Sequence, residues 1–362
     1  MRIQAAVCRE TPGFPIIETL ELEPPRAGEL LVRLVAVGVC HTDIRVATRP
    51  MGPRPMVLGH EGAGIVEAVG EGVADFAPGD AVLMSYAFCG ECSACRHDAK
   101  AYCLDCVQLN FGGSRADGSS PLSQDGGVIH GAFFGQSSFA THAICEARQA
   151  IRAPADIPLE RLAPLGCGVQ TGAGAVLNSL KLGKGQSLAV FGTGSVGLSA
   201  VMAARAANAG KIIAVDVNPD RLALARELGA DDIIDARTTD PVAAIRDLSG
   251  GGVDFVLNTT DQLEVYQQGI ACLGTKGVFA FVTSPGGDLP LRLSDLMPGG
   301  RSIRGVVQGD SEPREFIPRL IDLHRQGRFP LERLITTYPF EKIAEAMHDS
   351  ETGKAIKPVL VM

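Results

Sequence analysis

The sequence lacks any excess of positive charge. Its 33 lysines and arginines face 41 aspartates and glutamates, for a formal net charge of -8. That balance excludes the basic face of a nucleic-acid-binding protein. An apolar leader is also missing: residues 1–13 carry Arg2, Arg9 and Glu10 and no hydrophobic segment, so no signal peptide is expected. One charge-free run, 187–204, is 18 residues long and could be weighed as a membrane span. Its Gly-Thr-Gly-Ser-Val-Gly centre reads instead as strand, turn and helix. No internal repeat at solenoid periods is present. The expectation is a cytoplasmic protein with neither nucleic acid nor membrane as partner.

What is present describes an ordinary globular chain. At 362 residues it exceeds one typical core, so two domains are expected. Hydrophobic residues make up 46% and charged residues 20%, which excludes a disordered chain. The 43 glycines suit tight turns and close approach of backbone to a ligand. Ten cysteines in a reducing compartment point to metal rather than disulfides.

Two cysteine patterns stand out. Cys40-His41-Thr42-Asp43 is followed by Gly59-His60-Glu61-Gly62-Ala63-Gly64, which gathers a thiol, an imidazole and carboxylates. Thiolate and neutral imidazole are ligands zinc prefers, and a catalytic zinc keeps three protein ligands and one open position. Further on, Cys89, Cys92, Cys95 and Cys103 form a Cys-x2-Cys-x2-Cys-x7-Cys array. Two-residue gaps let thiolates converge on one ion, and four of them leave no open position, so this is expected to be a structural zinc. Cys106 competes for the fourth place.

Residues 3–7, 30–37, 65–69 and 81–84 are apolar, β-branched runs bounded by turn residues, so the first part reads as antiparallel strands. Cys40 and His60 then fall in loops, and 107–137 reads as one long surface loop in which Phe133-Phe134 could line a pocket. From Pro154 strands alternate with helices, the mark of βαβ units and a parallel sheet. Helices are expected over 315–325 and 340–349 and a last strand over 356–361, in a tail that returns to the first domain.

The glycine motif has its full context. Gly192-Thr-Gly194-Ser-Val-Gly197 follows a strand and opens a helix, and Asp216 comes about 20 residues later. The first glycine permits the turn, the second lets backbone approach a pyrophosphate, and the third lets helix and strand pack closely. The helix N-terminus faces the phosphates. Asp216 is expected to accept hydrogen bonds from the adenosine ribose. Its charge repels a 2′-phosphate and Val217 supplies no cation, so NAD is expected over NADP.

These residues resemble the zinc-dependent medium-chain alcohol dehydrogenases along the whole chain. Gly59-His60-Glu61-x-x-Gly64-x5-Gly70 matches that family's zinc signature. Within the family, Gly166-Cys167-Gly-Val-Gln-Thr171, Phe134-Gly-Gln-Ser-Ser-Phe139 and Phe316-Ile-Pro-Arg-Leu resemble the aryl-alcohol (benzyl alcohol) dehydrogenases, and geraniol and perillyl alcohol enzymes share much of the pattern. The resemblance implies a GroES-like β-rich catalytic domain over 1–168 and 307–362, with the structural-zinc lobe at 89–103. It implies a Rossmann doubly wound NAD domain over 169–306. It implies two zinc ions per chain, NAD, a small alcohol or aldehyde substrate, and a homodimer or homotetramer paired through an edge strand near 302–307.

By position, Cys40, His60 and Cys167 become the catalytic zinc ligands and Glu61 a carboxylate beside the metal. Thr42 becomes the hydroxyl on the substrate oxygen, and Asp43 the support of a zinc-ligating histidine. His41 and Lys357 fall where the family places basic groups on the pyrophosphate. Thr171 and Val196 fall by the nicotinamide, and Arg221 near the adenosine ribose. Arg45 departs from the pattern: many relatives end a proton relay in histidine there, and arginine does not titrate. The expected reaction is reversible oxidation of a benzyl-type primary alcohol. A geraniol-type allylic alcohol or a glutathione adduct of formaldehyde are alternative substrates.

Overall fold

The computed structural model describes residues 1–49 and 51–362. The chain forms two compact units. One comprises Met1–Cys167, Glu312–Pro318 and Leu331–Met362; the other comprises Gly168–Ser311 and Arg319–Pro330.

The first unit is built on two mainly antiparallel sheets. Five strands run in the order Met56–Val57, Arg2–Cys8, Ile16–Leu22, Leu122–Gln124, Gly127–Ile129. A seven-stranded sheet runs Ala150–Arg152, Ala81–Met84, Gly62–Val69, Glu29–Gly38, Lys357–Val361, Ile335–Pro339, with His142–Glu146 also paired to Glu29–Gly38. Its one parallel pair is Ile335–Pro339 with Lys357–Val361. The strands are rich in β-branched residues that alternate toward one core, where Leu20, Leu30, Val37, Met56, Phe139 and Leu360 are buried.

The second unit is a parallel sheet of six strands. Its order is Asp232–Asp235, Lys211–Asp216, Ser187–Phe191, Val253–Asn258, Leu273–Phe281, Ser302–Gly305. Numbered along the chain this is 3-2-1-4-5-6, the doubly wound order that binds dinucleotides. Near-continuous apolar strands such as Leu188-Ala-Val-Phe191 are buried on both faces, as a parallel sheet requires. The run 187–204 is thus strand Ser187–Phe191, the glycine turn and the start of helix Ser195–Ala206. Among the described residues no helix is long and apolar enough to cross a membrane.

Some local expectations need correction. Residues 107–137 are not one loop: they hold most of helix Cys106–Phe111, a hairpin and a 3-10 turn at Phe133–Gly135. The hairpin turns through Asp125 and Gly126, both at positive φ (51° and 79°), which suits a two-residue turn. Cys40 does not lie in a plain loop but caps a helix, His41–Thr48. The helix expected at 340–349 is split into a 3-10 turn, Phe340–Lys342, and helix Ile343–Glu351.

Candidate active site

The first site gathers at the ends of strands in the first unit. Asp43, in the first turn of helix His41–Thr48, accepts the Cys40 backbone N–H at 2.9 Å, half of a reciprocal helix cap. Its other oxygen accepts from Gly59 N at 3.1 Å and meets His60 Nδ1 at 2.8 Å. One fully buried carboxylate therefore fixes the two stretches that carry the thiol and the imidazole. With Nδ1 engaged by Asp43, Nε2 of His60 is buried and has no hydrogen-bond partner.

Among the described residues no hydrogen-bond partner satisfies that nitrogen, but a metal would. The ligand atoms of Cys40, His60, Glu61 and Cys167 all lie within 4.8 Å of one another. Contact with the Cys167 thiol, and then the neighbouring His60, holds Cys40 well below the ordinary thiol range despite burial. The same contact, together with burial, pushes Cys167 up. Burial opposes charge on His60, yet Asp43 and Cys40 together raise its pKa well above the usual value. The cluster thus favours negative charge on Cys40 beside positive charge on its neighbour, a balance that a divalent cation would meet. A soft, thiolate-rich set with one imidazole suits zinc.

Around this group the chain adds an aromatic wall. Phe134 stacks on the His60 ring at 4.3 Å and 24°, and Phe133 meets it edge-on at 5.6 Å. Phe134 sits at φ 51°, costly for a bulky residue. Glutamines hold the turn there: Gln149 donates to the Phe134 carbonyl at 3.0 Å, and Gln136 donates to the His60 carbonyl at 3.1 Å while accepting from Gly62 N. Neither glutamine carries a sequence signal beyond lying beside the Phe-Phe pair. Thr42 is half-buried on the first turn after Cys40, and His41 is exposed beside it.

Lys357 departs from the expected pyrophosphate contact. It is 1% exposed, and Nζ donates to both oxygens of Glu61 (2.9 and 3.0 Å) and to the Val39 carbonyl at 3.1 Å. Three acceptors use all three ammonium hydrogens, so none is left for a phosphate.

The four lobe cysteines also converge, with all four sulfurs within 4.8 Å. Cys106 is not in that group; its sulfur lies 3.7 Å from Asn110 Nδ2. Backbone N–H groups aim at the sulfurs, from Cys89 to Cys103 and from Cys92 to Cys89, both at 3.3 Å. Cys92 is lowered to about 6, chiefly by N–H donation from Leu104. All ten cysteines are free of disulfides.

In the second unit the glycine turn has the space the motif demands. A Cβ on Gly197 would lie 1.8 Å from the Gly192 carbonyl oxygen, so this position is closed to side chains. At Gly194, the cap of helix Ser195–Ala206, a Cβ would meet nothing within 4 Å. That gap is an approach for a ligand to the helix N-terminus, and it fits a pyrophosphate. Asp216 ends its strand and takes the Thr193 hydroxyl at 2.8 Å on one oxygen, and Val217 and Asn218 N–H on the other. The ribose acceptor thus also ties down the turn. Val196 lies in the first turn of the same helix, and Arg221 on helix Pro219–Glu227 has a buried Nε without a partner. Thr171, on helix Gly168–Gly174, is half-buried.

Comparisons with known proteins match both domains of the chain. Residues 26–155 match the alcohol dehydrogenase GroES-like domain and residues 195–324 the zinc-binding dehydrogenase domain. The chain is 47% identical over 362 residues to a geraniol dehydrogenase of Castellaniella defragrans, covering 99% of this chain and 97% of the relative. A crystal structure of an alcohol dehydrogenase zinc-binding domain protein from Burkholderia ambifaria is 49% identical, with TM-score 0.97 over 100% of this chain and 99% of the other. Benzyl alcohol dehydrogenase from Acinetobacter calcoaceticus is 42% identical, with TM-score 0.96 over the same shares. With both domains matched and relatives this similar along the whole length, the chain belongs to the zinc-binding medium-chain alcohol dehydrogenase family.

Proposed function

We propose that the protein is an NAD-dependent zinc alcohol dehydrogenase that reversibly oxidises a benzyl-type primary alcohol to the aldehyde. The observation that carries this reading is the partnerless, buried Nε2 of His60 facing the thiols of Cys40 and Cys167. Zinc held by these three supplies a Lewis acid that acidifies an alcohol, and NAD supplies the hydride acceptor. The chain's own residues do the rest. Asp43 fixes the imidazole tautomer, the Thr42 hydroxyl takes the alcohol proton, and Arg45 leaves that proton to exit by water or the cofactor ribose. Gly192, Gly194, Gly197 and Asp216 would seat the dinucleotide in the second unit, with Thr171, Val196 and Arg221 of that unit around it, and His41 of the first unit is kept as a pyrophosphate contact on the family resemblance alone. Cys89, Cys92, Cys95 and Cys103 hold a second, closed zinc that stabilises the lobe.

The likeness to benzyl alcohol dehydrogenase supports a substrate whose carbinol carbon adjoins a flat π system. Benzyl alcohol and geraniol share that chemistry, and the 47% identical geraniol dehydrogenase makes the terpenoid alcohol the second reading. Free thiols throughout suit a cytoplasmic enzyme. The exposed edge strand Ser302–Gly305 is the surface through which we place homo-oligomer formation.

The test is NADH formation with benzyl alcohol, geraniol and ethanol, before and after chelation. Benzyl alcohol is expected to lead and chelation to abolish the rate. A lead by geraniol changes the substrate only. No reaction with any alcohol, from protein holding two zincs, overturns the function.

A further inference from the structure

Asp43 ties the Cys40 stretch to the His60 stretch, and its hydrogen bonds among the described residues end there. The third thiol, on Cys167, comes from a stretch more than 100 residues further along the chain. A second buried polar side chain spans that gap. Gln136 lies in the turn that carries Phe134, and it is 1% exposed, so its amide must find its partners inside the protein. Oε1 accepts from Gly62 N at 3.1 Å, while Nε2 donates to the carbonyls of His60 and Ser85, both at 3.1 Å. Every hydrogen of the amide is used, and the His60–Gly62 backbone is clamped at both ends.

Ser85 carries the tie onward. It follows strand Ala81–Met84, and its hydroxyl donates at 2.7 Å to the carbonyl of Gly166, the residue before Cys167. Two glycines permit this approach. A Cβ on Gly62 would fall 2.4 Å from Met84 Cε, and one on Gly166 would fall 2.3 Å from the Met84 carbonyl oxygen. The polar chain therefore runs from His60 through Gln136 and Ser85 to Gly166. It joins the imidazole stretch to the Cys167 stretch, as Asp43 joins it to Cys40.

The turn itself is held firmly. Phe134 and Ser137 both sit at positive φ (51° and 45°), which residues with side chains keep only where their surroundings enforce it. Ser137 Oγ donates to the Val57 carbonyl at 2.6 Å and accepts the Phe133 N–H at 2.8 Å. Gln149 donates to the carbonyls of Phe134 and Ser85, at 3.0 and 3.2 Å. Both glutamines thus meet on Ser85, and the amide of Gln136 is presented from a fixed backbone.

We propose that Gln136 is a positioning residue for the metal centre: through Ser85 it sets the His60 imidazole and the Cys167 thiol at the spacing one ion requires. The inference rests on the reading of Cys40, His60 and Cys167 as zinc ligands.

The experiment uses the full chain as Gln136→Met, Ser85→Ala and the double variant. Tyr338→Phe, which deletes the buried hydrogen bond to Asp349 outside the metal group, serves as the comparison. Three readouts are taken: competition with a chromophoric chelator for the zinc that Cys40→Ser removes, the visible spectrum of the cobalt(II) form, and melting of the metal-free protein. Gln136→Met is expected to bind that zinc about tenfold or more weakly and to shift the cobalt bands. Ser85→Ala is expected to move both in the same direction. The double variant should lose less affinity than the product of the two single losses, because both substitutions cut one chain. Tyr338→Phe should melt lower with zinc affinity and cobalt spectrum unchanged. If Gln136→Met does not fold, Gln136→Asn, whose amide is one methylene too short to span the same partners, carries the test. A Gln136 variant that melts lower yet keeps wild-type zinc affinity and cobalt spectrum has lost a structural contact only and overturns the proposal. A double variant that shows the full product of the single losses overturns it as well. Cys40→Ser protein that loses no zinc overturns the underlying zinc reading instead.

Discussion

Replacing Asp43 by asparagine tests how the metal site is preorganised. One carboxylate oxygen serves His60 Nδ1 and Gly59 N–H, and the other serves Cys40 N–H. In Asp43→Asn the amide oxygen can keep the first pair, but its NH2 group then meets the Cys40 N–H, donor against donor. One buried donor left unpaired costs about 1–3 kcal/mol. Loss of the partner that orients a metal-binding histidine typically costs about 10–100-fold in metal affinity, or about 1.4–2.8 kcal/mol. Asp43→Ala orphans all three donors and opens a cavity, so its loss of stability should reach about 3 kcal/mol or more. Competition with a chromophoric chelator reads the affinity, and thermal melting of the metal-free protein reads the stability. Zinc affinity unchanged in Asp43→Asn, or Asp43→Ala no worse than Asp43→Asn, would refute the reasoning.

Three further outcomes are expected. Gly194→Ala should melt within about 0.5 kcal/mol of wild type, since its Cβ meets nothing, yet bind NAD at least tenfold more weakly. Gly197→Ala should lose stability as well, about 1–3 kcal/mol, because its Cβ would meet the Gly192 carbonyl; equal effects in NAD titration and melting would contradict this division. Cys92→Ser should drop bound zinc from two to one per chain and lower the melting temperature, by metal analysis and calorimetry. Tyr338 is pushed up to about 12, by burial and then by donating to Asp349 at 2.8 Å. A raised folded-state pKa favours the protonated phenol, so this stability is whole below about 10 and is lost as pH rises through about 12. Tyr338→Phe lacks that dependence, so its stability gap to wild type should shrink across this alkaline window; a constant gap in alkaline melting curves would count against it.

Much of the cofactor unit was legible because its signals are local. A strand, a glycine turn, a helix and an acid occur within one short window, and each position answers a steric need seen in the structure. His60 and the four lobe cysteines were legible for the same reason. Cys167 was not: it joins Cys40 only through the fold, and only the family resemblance pointed to it. Helix His41–Thr48 was hidden by its β-branched residues Thr42, Ile44, Val46 and Thr48, although the spacing from Cys40 to Asp43 is that of a capping pair. The hairpin within 107–137 had a signal in Asp125-Gly126. Lys357 could not be placed from sequence, since a lysine near the chain's end says nothing of the carboxylate it meets across a sheet.

The position of strand Lys357–Val361 has a consequence for synthesis. It covers Ala36–Gly38 in the first unit's larger sheet, next to the stretch of Glu29–Gly38 covered by His142–Glu146. On the ribosome strand Lys357–Val361 emerges roughly 190 residues after Cys167, with the whole second unit between. At 5–20 residues per second that is a delay of about 10–40 s. During it, the nascent first unit carries an unpaired strand edge and a buried acid without its lysine. A chaperone that shields that edge would therefore raise the yield of active chain more than one that acts on the finished second unit.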